Sequence, residues 1–317
     1  MLAVLFLCIA SVLVSNVFPS AVFYDTEKTK LFFHIAASAY GNQQATNECV
    51  RKINPIFGIN AQYEWHSLDH CSLEAPCSVI AVIIPPEGNK KGELVIAFEG
   101  TNNYSKLFWQ AVGANMMPLA DFYGKGKVNS YYLNALTALW TYIEVILKKY
   151  PDHTIAFTGH SKGGAVAAIA AFYCALFCKS DTHKKNIQLH TFGEPRHGNP
   201  DYAMNHGEYV PRSVRYVNGS DGIAHLPMCD ISRNGMCDVN NPNGFFHQGH
   251  EFWFNKGMDE DPVICGPWES MKCSNQLVFD IQLLLNPRKM MEYVSDHQIY
   301  FGKWVYYYGR AGCPNTP

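Results

Sequence analysis

A chain of 317 residues that is 48% hydrophobic and 14% aromatic has enough apolar volume for one large domain. Its 25 basic and 27 acidic residues give a formal charge of −2 and fall in no long runs, which excludes the electrostatic footprint of a nucleic-acid binder and a polybasic patch for anionic lipid. No internal repeat, low-complexity tract or Pro-, Gly- or Ser-rich linker divides it, so one domain is expected over residues 21–317.

In chain order, Leu2 to Val14 is almost wholly apolar, Ser15, Asn16, Pro19 and Ser20 break the run, and Asp25 is the first charged side chain. This reads as a secretory signal peptide over residues 1–20, although its first residues carry no Lys or Arg. The run is short for a membrane span, and no later segment is long and apolar enough for one. Asp25 to Tyr40 has a helical pattern, with Leu31, Phe32, Ile35, Ala36 and Ala39 on one side. Val79–Ile84 and Leu94–Phe98 read as strands joined by a turn at Pro85-Pro86-Glu87-Gly88. Tyr131–Tyr150 repeats Leu136, Leu139, Trp140, Ile143 and Leu147 at helical spacing and stops at Pro151. Strands follow at Thr154–Phe157, Ile187–Phe192 and Ser213–Val217, with a long Ala-rich helix from Ala165 to Phe177 after the first. Alternating strands and helices predict an α/β fold, a largely parallel sheet covered on both faces.

Between the strand at Thr154–Phe157 and the Ala-rich helix lies Gly159-His160-Ser161-Lys162-Gly163, a G-x-S-x-G in the strand-turn-helix context of a nucleophile elbow. The two glycines remove Cβ atoms where the sharp turn brings backbone and first-turn side chains together. The Ser161 hydroxyl would then sit at a helix N-terminus, where free N–H groups favour developing negative charge. A serine nucleophile needs a histidine base, and the histidine needs a carboxylate that fixes its tautomer. Asp221, in the turn after the strand Ser213–Val217, is the attractive acid, with Asp230, Asp238 and Glu251 as alternatives. His225, His247, His250 and His297 all follow as candidate bases. His247-Gln248-Gly249-His250 is a weak metal motif, because no carboxylate stands at a diagnostic spacing and the glycine argues against a helical face.

Of eleven cysteines, Cys8 falls in the leader. The rest form no C-x-x-C and no zinc-finger spacing, so disulfides are expected rather than metal ligation. Cys71 with Cys77, Cys229 with Cys237 and Cys265 with Cys273 are close pairs in polar or Pro/Gly-containing loops. Cys174 and Cys178, four apart on the expected helix, read as buried free thiols.

Several segments far apart in the chain resemble one family. Tyr216-Val217-Asn218-Gly219-Ser220-Asp221 with His225-Leu226-Pro227 resembles the acid segment of the fungal-type class 3 lipases, and Asp296-His297-Gln298-Ile299-Tyr300-Phe301-Gly302 resembles their histidine segment. Thr191-Phe192-Gly193-Glu194-Pro195-Arg196 with Gly198-Asn199-Pro200, the stretch Gly244–Phe254, and Cys273-Ser274-Asn275 are similar to further family motifs. The likeness runs from about Ala36 to Cys313, and the secreted, cysteine-rich branch is the nearest.

The resemblance implies an α/β-hydrolase with Ser161 as nucleophile, Asp221 as acid, His297 as base, and an oxyanion hole from the N–H groups of Thr101 and Lys162. It implies a lid after Thr101, for which Leu107, Phe108 and Trp109 supply the apolar surface. It pairs Cys49 with Cys313, and it supports the pairs Cys71 with Cys77 and Cys265 with Cys273. The pair Cys229 with Cys237 rests on spacing alone. No metal or organic cofactor is implied. The expected partner is a lipid ester at a lipid–water interface, and triacylglycerol hydrolysis is the leading activity. Phospholipase or soluble carboxylesterase action is the alternative, and a non-catalytic lipid-binding protein would need a broken triad. Two departures stand out: the family usually has Arg at the position of Glu99 and a neutral residue at that of Lys162, whose part in catalysis is expected to be its backbone alone. Asn103 and Asn218 begin glycosylation sequons, the second expected to be too enclosed for use.

Overall fold

A computed structural model describes residues 24–72, 75–101, 117–277 and 286–314. The leader, the lid candidates Leu107, Phe108 and Trp109, and the Asn103 sequon lie outside those residues.

Among the described residues the strands in chain order are β1 (Gln62–Ser72), β2 (Ala75–Ile84), β3 (Glu93–Phe98), β4 (Leu119–Asp121), β5 (Lys127–Asn129), β6 (Thr154–His160), β7 (Ile187–Phe192), β8 (Ser213–Asn218), β9 (His250–Phe254), β10 (Val263–Pro267), β11 (Ile299–Tyr300) and β12 (Lys303–Trp304). Eight of them form one sheet in the order β1-β2-β3-β6-β7-β8-β9-β10, while β4 and β5 pair separately. The middle of the sheet, β3-β6-β7-β8-β9, is parallel throughout. The outer strands β1, β2 and β10 are antiparallel. Connection length explains the division: a short turn can only reverse the chain, whereas a parallel neighbour needs a crossover.

Strand alternation divides the core in two. Val79, Ala81 and Ile83 of β2 and Leu94, Ile96 and Phe98 of β3 face one layer, and Ile80, Val82, Val95 and Ala97 face the other. The first layer holds the helices α3 (Ser130–Lys149) and α4 (Lys162–Phe177). Leu136, Leu139, Ile143 and Leu147 of α3 are buried at helical spacing. Every residue of α4 from Lys162 to Phe172 is buried. A helix enclosed on all sides must be apolar all round, and its many alanines let it lie close to the sheet. The second layer holds α1 (Thr26–Ser38), capped by Asp25 accepting the Lys28 N–H at 3.0 Å, and α2 (Gln43–Phe57). The remaining helices are α5 (Asp181–Lys185), α6 (Pro200–Tyr209), α7 (Pro287–Gln298) and α8 (Val305–Arg310), and α8 completes the second layer.

Disulfides join Cys49 to Cys313, Cys71 to Cys77, Cys229 to Cys237 and Cys265 to Cys273. A fifth joins Cys174 to Cys178, so these are not the free thiols that helical spacing suggests. The helix ends at Phe177, and Cys178 turns out of it with φ −59° and ψ 141°, bringing its Cα to 4.6 Å from that of Cys174. Among the described residues, no helix is long and apolar enough to cross a membrane.

Candidate active site

The carboxyl ends of β3, β6, β7 and β8 converge on one edge of the sheet, and Thr101, Ser161, Gly193 and Asp221 follow those strands in turn. Ser161 turns the chain from β6 into α4 with φ +59° and ψ −130°, a strained backbone for a residue with a side chain. Its N–H donates to the Phe192 carbonyl at 2.9 Å, latching the turn to the end of β7. The turn closes only because Gly163 lacks a side chain: a Cβ there would lie 2.1 Å from the Phe98 carbonyl oxygen. Lys162 is the first residue of α4, where an N–H has no partner inside its own helix. Thr101 is half-buried, three residues past β3.

Asp221 and His297 are fully buried. His297, near the C-terminal end of α7, places Nδ1 2.9 and 3.0 Å from the two Asp221 carboxylate oxygens. The same carboxylate accepts the Tyr300 hydroxyl at 2.8 Å and the N–H groups of Ile223 and Ala224 at 3.0 and 3.2 Å. Burial by itself raises the Asp221 pKa. The charge and hydrogen bond of His297, the Tyr300 hydroxyl and the Ala224 N–H outweigh it and hold the group below the usual carboxylate range. An ionised carboxylate can only accept, so His297 donates from Nδ1, and in the neutral ring the lone pair is on Nε2. That Nε2 is buried and has no hydrogen-bond partner among the described residues. Gly193, at φ +58°, lies beneath the pair, where a Cβ would be 2.6 Å from Asp221 Oδ2 and 2.8 Å from His297 Nδ1.

The alternative acids, and His247 among the alternative bases, are engaged elsewhere. Asp230 is exposed and accepts the Asn241 side chain at 2.7 Å, and Asp238 caps the Asn240 N–H at 2.9 Å. Glu251 pairs with Arg215 at 3.4 Å. His247 donates from Nε2 to the Ala224 carbonyl at 2.8 Å, which supports the acid loop. His225 is buried in the short turn Ile223–His225, and His250 begins β9. The Asn218 side-chain nitrogen donates to the carbonyls of Asp296 and Ile299 at 3.2 and 2.8 Å, leaving no free amide for a glycan. No group of three His, Cys, Asp or Glu side chains is arranged to hold a metal among the described residues.

Two functional neighbours escaped the sequence reading. His160, the residue before Ser161, bonds the His297 carbonyl through Nε2 at 2.8 Å and the Tyr40 hydroxyl through Nδ1 at 2.7 Å. Because a carbonyl only accepts, the His160 proton is on Nε2, and Tyr40 donates to Nδ1. Burial pushes the His160 pKa down to about 3, so the ring is neutral at any working pH. The His160 and His297 rings lie 4.7 Å apart between centroids, which brings the elbow alongside His297. Tyr40 reaches His160 past Gly100, where a Cβ would sit 1.9 Å from its hydroxyl.

A family model for lipase (class 3) matches residues 95–231. A lipase of Caenorhabditis elegans is 32% identical over 240 residues, covering 70% of this chain and 65% of the relative. Over residues 95–231 the chain is similar to the class 3 lipases. Solved lipase structures share its architecture. The Rhizopus microsporus var. chinensis lipase matches with a TM-score of 0.65 and 22% identity, covering 93% of this chain and 94% of that one. The Rhizomucor miehei triacylglyceride lipase matches with a TM-score of 0.61 and 21% identity, covering 90% and 95%. At such identities the likeness is one of fold, the α/β-hydrolase fold. The chain spans less than two thirds of the length of the curated relatives it matches.

Proposed function

We propose that this protein is an extracellular serine ester hydrolase acting on acylglycerols, with Ser161 as nucleophile, His297 as general base and Asp221 as the acid that orients it. The observation that carries the reading is the His297 ring. Its Nδ1 is held by a buried, ionised Asp221, and its Nε2 lone pair has no partner beside the strained serine turn. In the first step Nε2 takes the Ser161 proton as Oγ attacks the ester carbonyl. The imidazolium then protonates the leaving alcohol, and water, deprotonated by the same nitrogen, releases the acyl group. The oxyanion is bound by the N–H groups of Thr101 and Lys162, each contributing about 3 kcal/mol. Five disulfides support an oxidising compartment.

Acylglycerol as substrate is supported by the names of the relatives, since the same triad can serve phospholipids or soluble esters. The test is Ser161→Ala beside wild type on an ester panel of increasing chain length, as monomers and as emulsions. Wild type should prefer emulsified acylglycerol and Ser161→Ala should be inactive throughout. Hydrolysis confined to soluble short-chain esters would make the protein a carboxylesterase, and an active Ser161→Ala would remove the mechanism.

A further inference from the structure

Two buried side chains beside the elbow, Tyr40 and His160, take no part in the reaction above. His160 ends β6, and both of its ring nitrogens are engaged: Nε2–H donates to the His297 carbonyl at 2.8 Å, and Nδ1 accepts the Tyr40 hydroxyl at 2.7 Å. The last four carbonyls of a helix have no partner inside it, and that of His297 is one of them in α7. His160 therefore supplies, from β6, a bond that α7 cannot make for itself.

Other hydrogen bonds at this end of α7 run to the loop after β8. Asn218 holds the carbonyls of Asp296 and Ile299, the Ser220 N–H donates to the Asp296 carboxylate at 2.7 Å, and Asp221 holds the His297 ring. Those contacts fix the base against the acid. The His160 bond fixes it against the elbow, since Ser161 is the next residue of the chain. Tyr40 extends the link to the third segment of the site: a Cβ on Gly100, the residue before Thr101, would lie 1.9 Å from the Tyr40 hydroxyl and 2.6 Å from the His160 carbonyl oxygen.

We infer that Tyr40 and His160 are a positioning pair that sets how His297 Nε2 stands to the Ser161 hydroxyl. The inference rests on the proposed roles of Ser161 and His297. Proton transfer from serine to histidine needs the two atoms within hydrogen-bond reach, and a misplacement of about 1 Å can cost about a hundredfold in rate. Donation by Tyr40 leaves His160 only one nitrogen with a proton, the one facing the His297 carbonyl. Neither side chain bonds the ester or the reacting nitrogen, so each acts through the backbone that carries His297 and Ser161.

The experiment compares wild type, Tyr40→Phe, His160→Leu, His160→Gln and the double variant of Tyr40→Phe with His160→Leu in the full-length protein. It reads kcat and KM on 4-nitrophenyl butyrate, the rate of Ser161 phosphonylation by a 4-nitrophenyl alkylphosphonate, and the acid limb of kcat/KM. His160→Leu keeps the bulk and removes the donor, so kcat and phosphonylation should fall about tenfold or more with KM within about twofold. His160→Gln, whose amide N–H can reach the same carbonyl, should recover most of that loss. Tyr40→Phe should cost less than His160→Leu and add nothing to it in the double variant. The acid limb should stay where it is, because the contacts of Asp221 are untouched. Wild-type kcat in His160→Leu, a loss confined to KM, no recovery in His160→Gln, or a displaced acid limb would overturn the pair. Should His160→Leu fail to fold, Tyr40→Phe decides: lower kcat at unchanged KM supports the pair, and wild-type kcat overturns it. An active Ser161→Ala or His297→Ala would instead overturn the triad, whereas inactive ones beside a fully active His160→Leu would remove the positioning pair alone.

Discussion

Around Asp221 and His297 the structure is held by side-chain hydrogen bonds: Tyr300 on the carboxylate, His160 on the His297 carbonyl, His247 on the Ala224 carbonyl. Around Ser161 it is held by backbone against backbone, with Gly163 pressed on Phe98 and the Ser161 N–H latched to Phe192. The first arrangement is modular, since one hydroxyl or ring can be removed while the rest remain. The second has no removable part, because any added atom forces β3, β6 and α4 apart. The proposed acid and base should therefore lose function in graded steps, and the elbow should lose it abruptly.

The largest expected effect breaks the modular side at its centre. His297→Ala should cut kcat on a soluble ester by about 10⁴-fold or more. His250→Ala should leave it nearly unchanged, and the reverse order would mean the wrong base has been chosen. Replacing Cys49 by Ala opens a loop spanning 264 residues and should cost roughly 5 kcal/mol of stability by the chain-entropy relation. Denaturant melts measure this, and kcat per folded molecule should stay constant. A large fall in kcat would show that the second helical layer does more than support the site.

Gly193→Ala tests whether the abrupt behaviour extends under the acid–base pair. Its positive φ alone costs about 1–3 kcal/mol, and the added methyl meets Asp221 and His297 directly, so activity should fall further than stability. Equal losses would show that the pair moves freely to admit it. Tyr300→Phe removes one charge-assisted hydrogen bond worth about 1.5–3 kcal/mol. Because that bond helps hold the Asp221 pKa down, its loss should move the acid limb of kcat/KM towards neutrality, and an unmoved limb would refute the role.

At His160 and His190, pH acts on stability rather than on the reaction. Burial pushes His160 and His190 down to about 3 in the folded protein, whereas the unfolded chain has ordinary histidines near pH 6.5. The unfolded state then binds more protons below that pH. Stability from these rings is complete above about pH 6.5 and is lost as pH falls towards 3, at about 1.4 kcal/mol per pH unit for each ring. Urea melts from pH 8 to pH 5 measure the slope, and a flat profile would contradict the neutral rings.

The elbow was legible in the sequence because its cause is local: two glycines around Ser161 between an apolar strand and an Ala-rich helix. Asp221 and His297 were not singled out by local chemistry, since several carboxylates and histidines fit the order, and the long-range match of family segments chose among them. The contact of Tyr40 with His160 joins residues 120 apart through a common residue type, so no pattern announced it. Helical periodicity misplaced Cys178 because it carries no information about where a helix stops. The outer strand β1 has too mixed a composition to read as a strand, and it forms by pairing with β2 at the sheet edge.

The bond between Cys49 and Cys313 makes almost the whole described chain a covalent ring. A protease that cuts one exposed loop within that ring opens it without producing two separate pieces. A singly nicked molecule should migrate as one band until it is reduced. Damage at one point would leave the sheet edge that carries Ser161 and the helix that carries His297 tied to the same molecule.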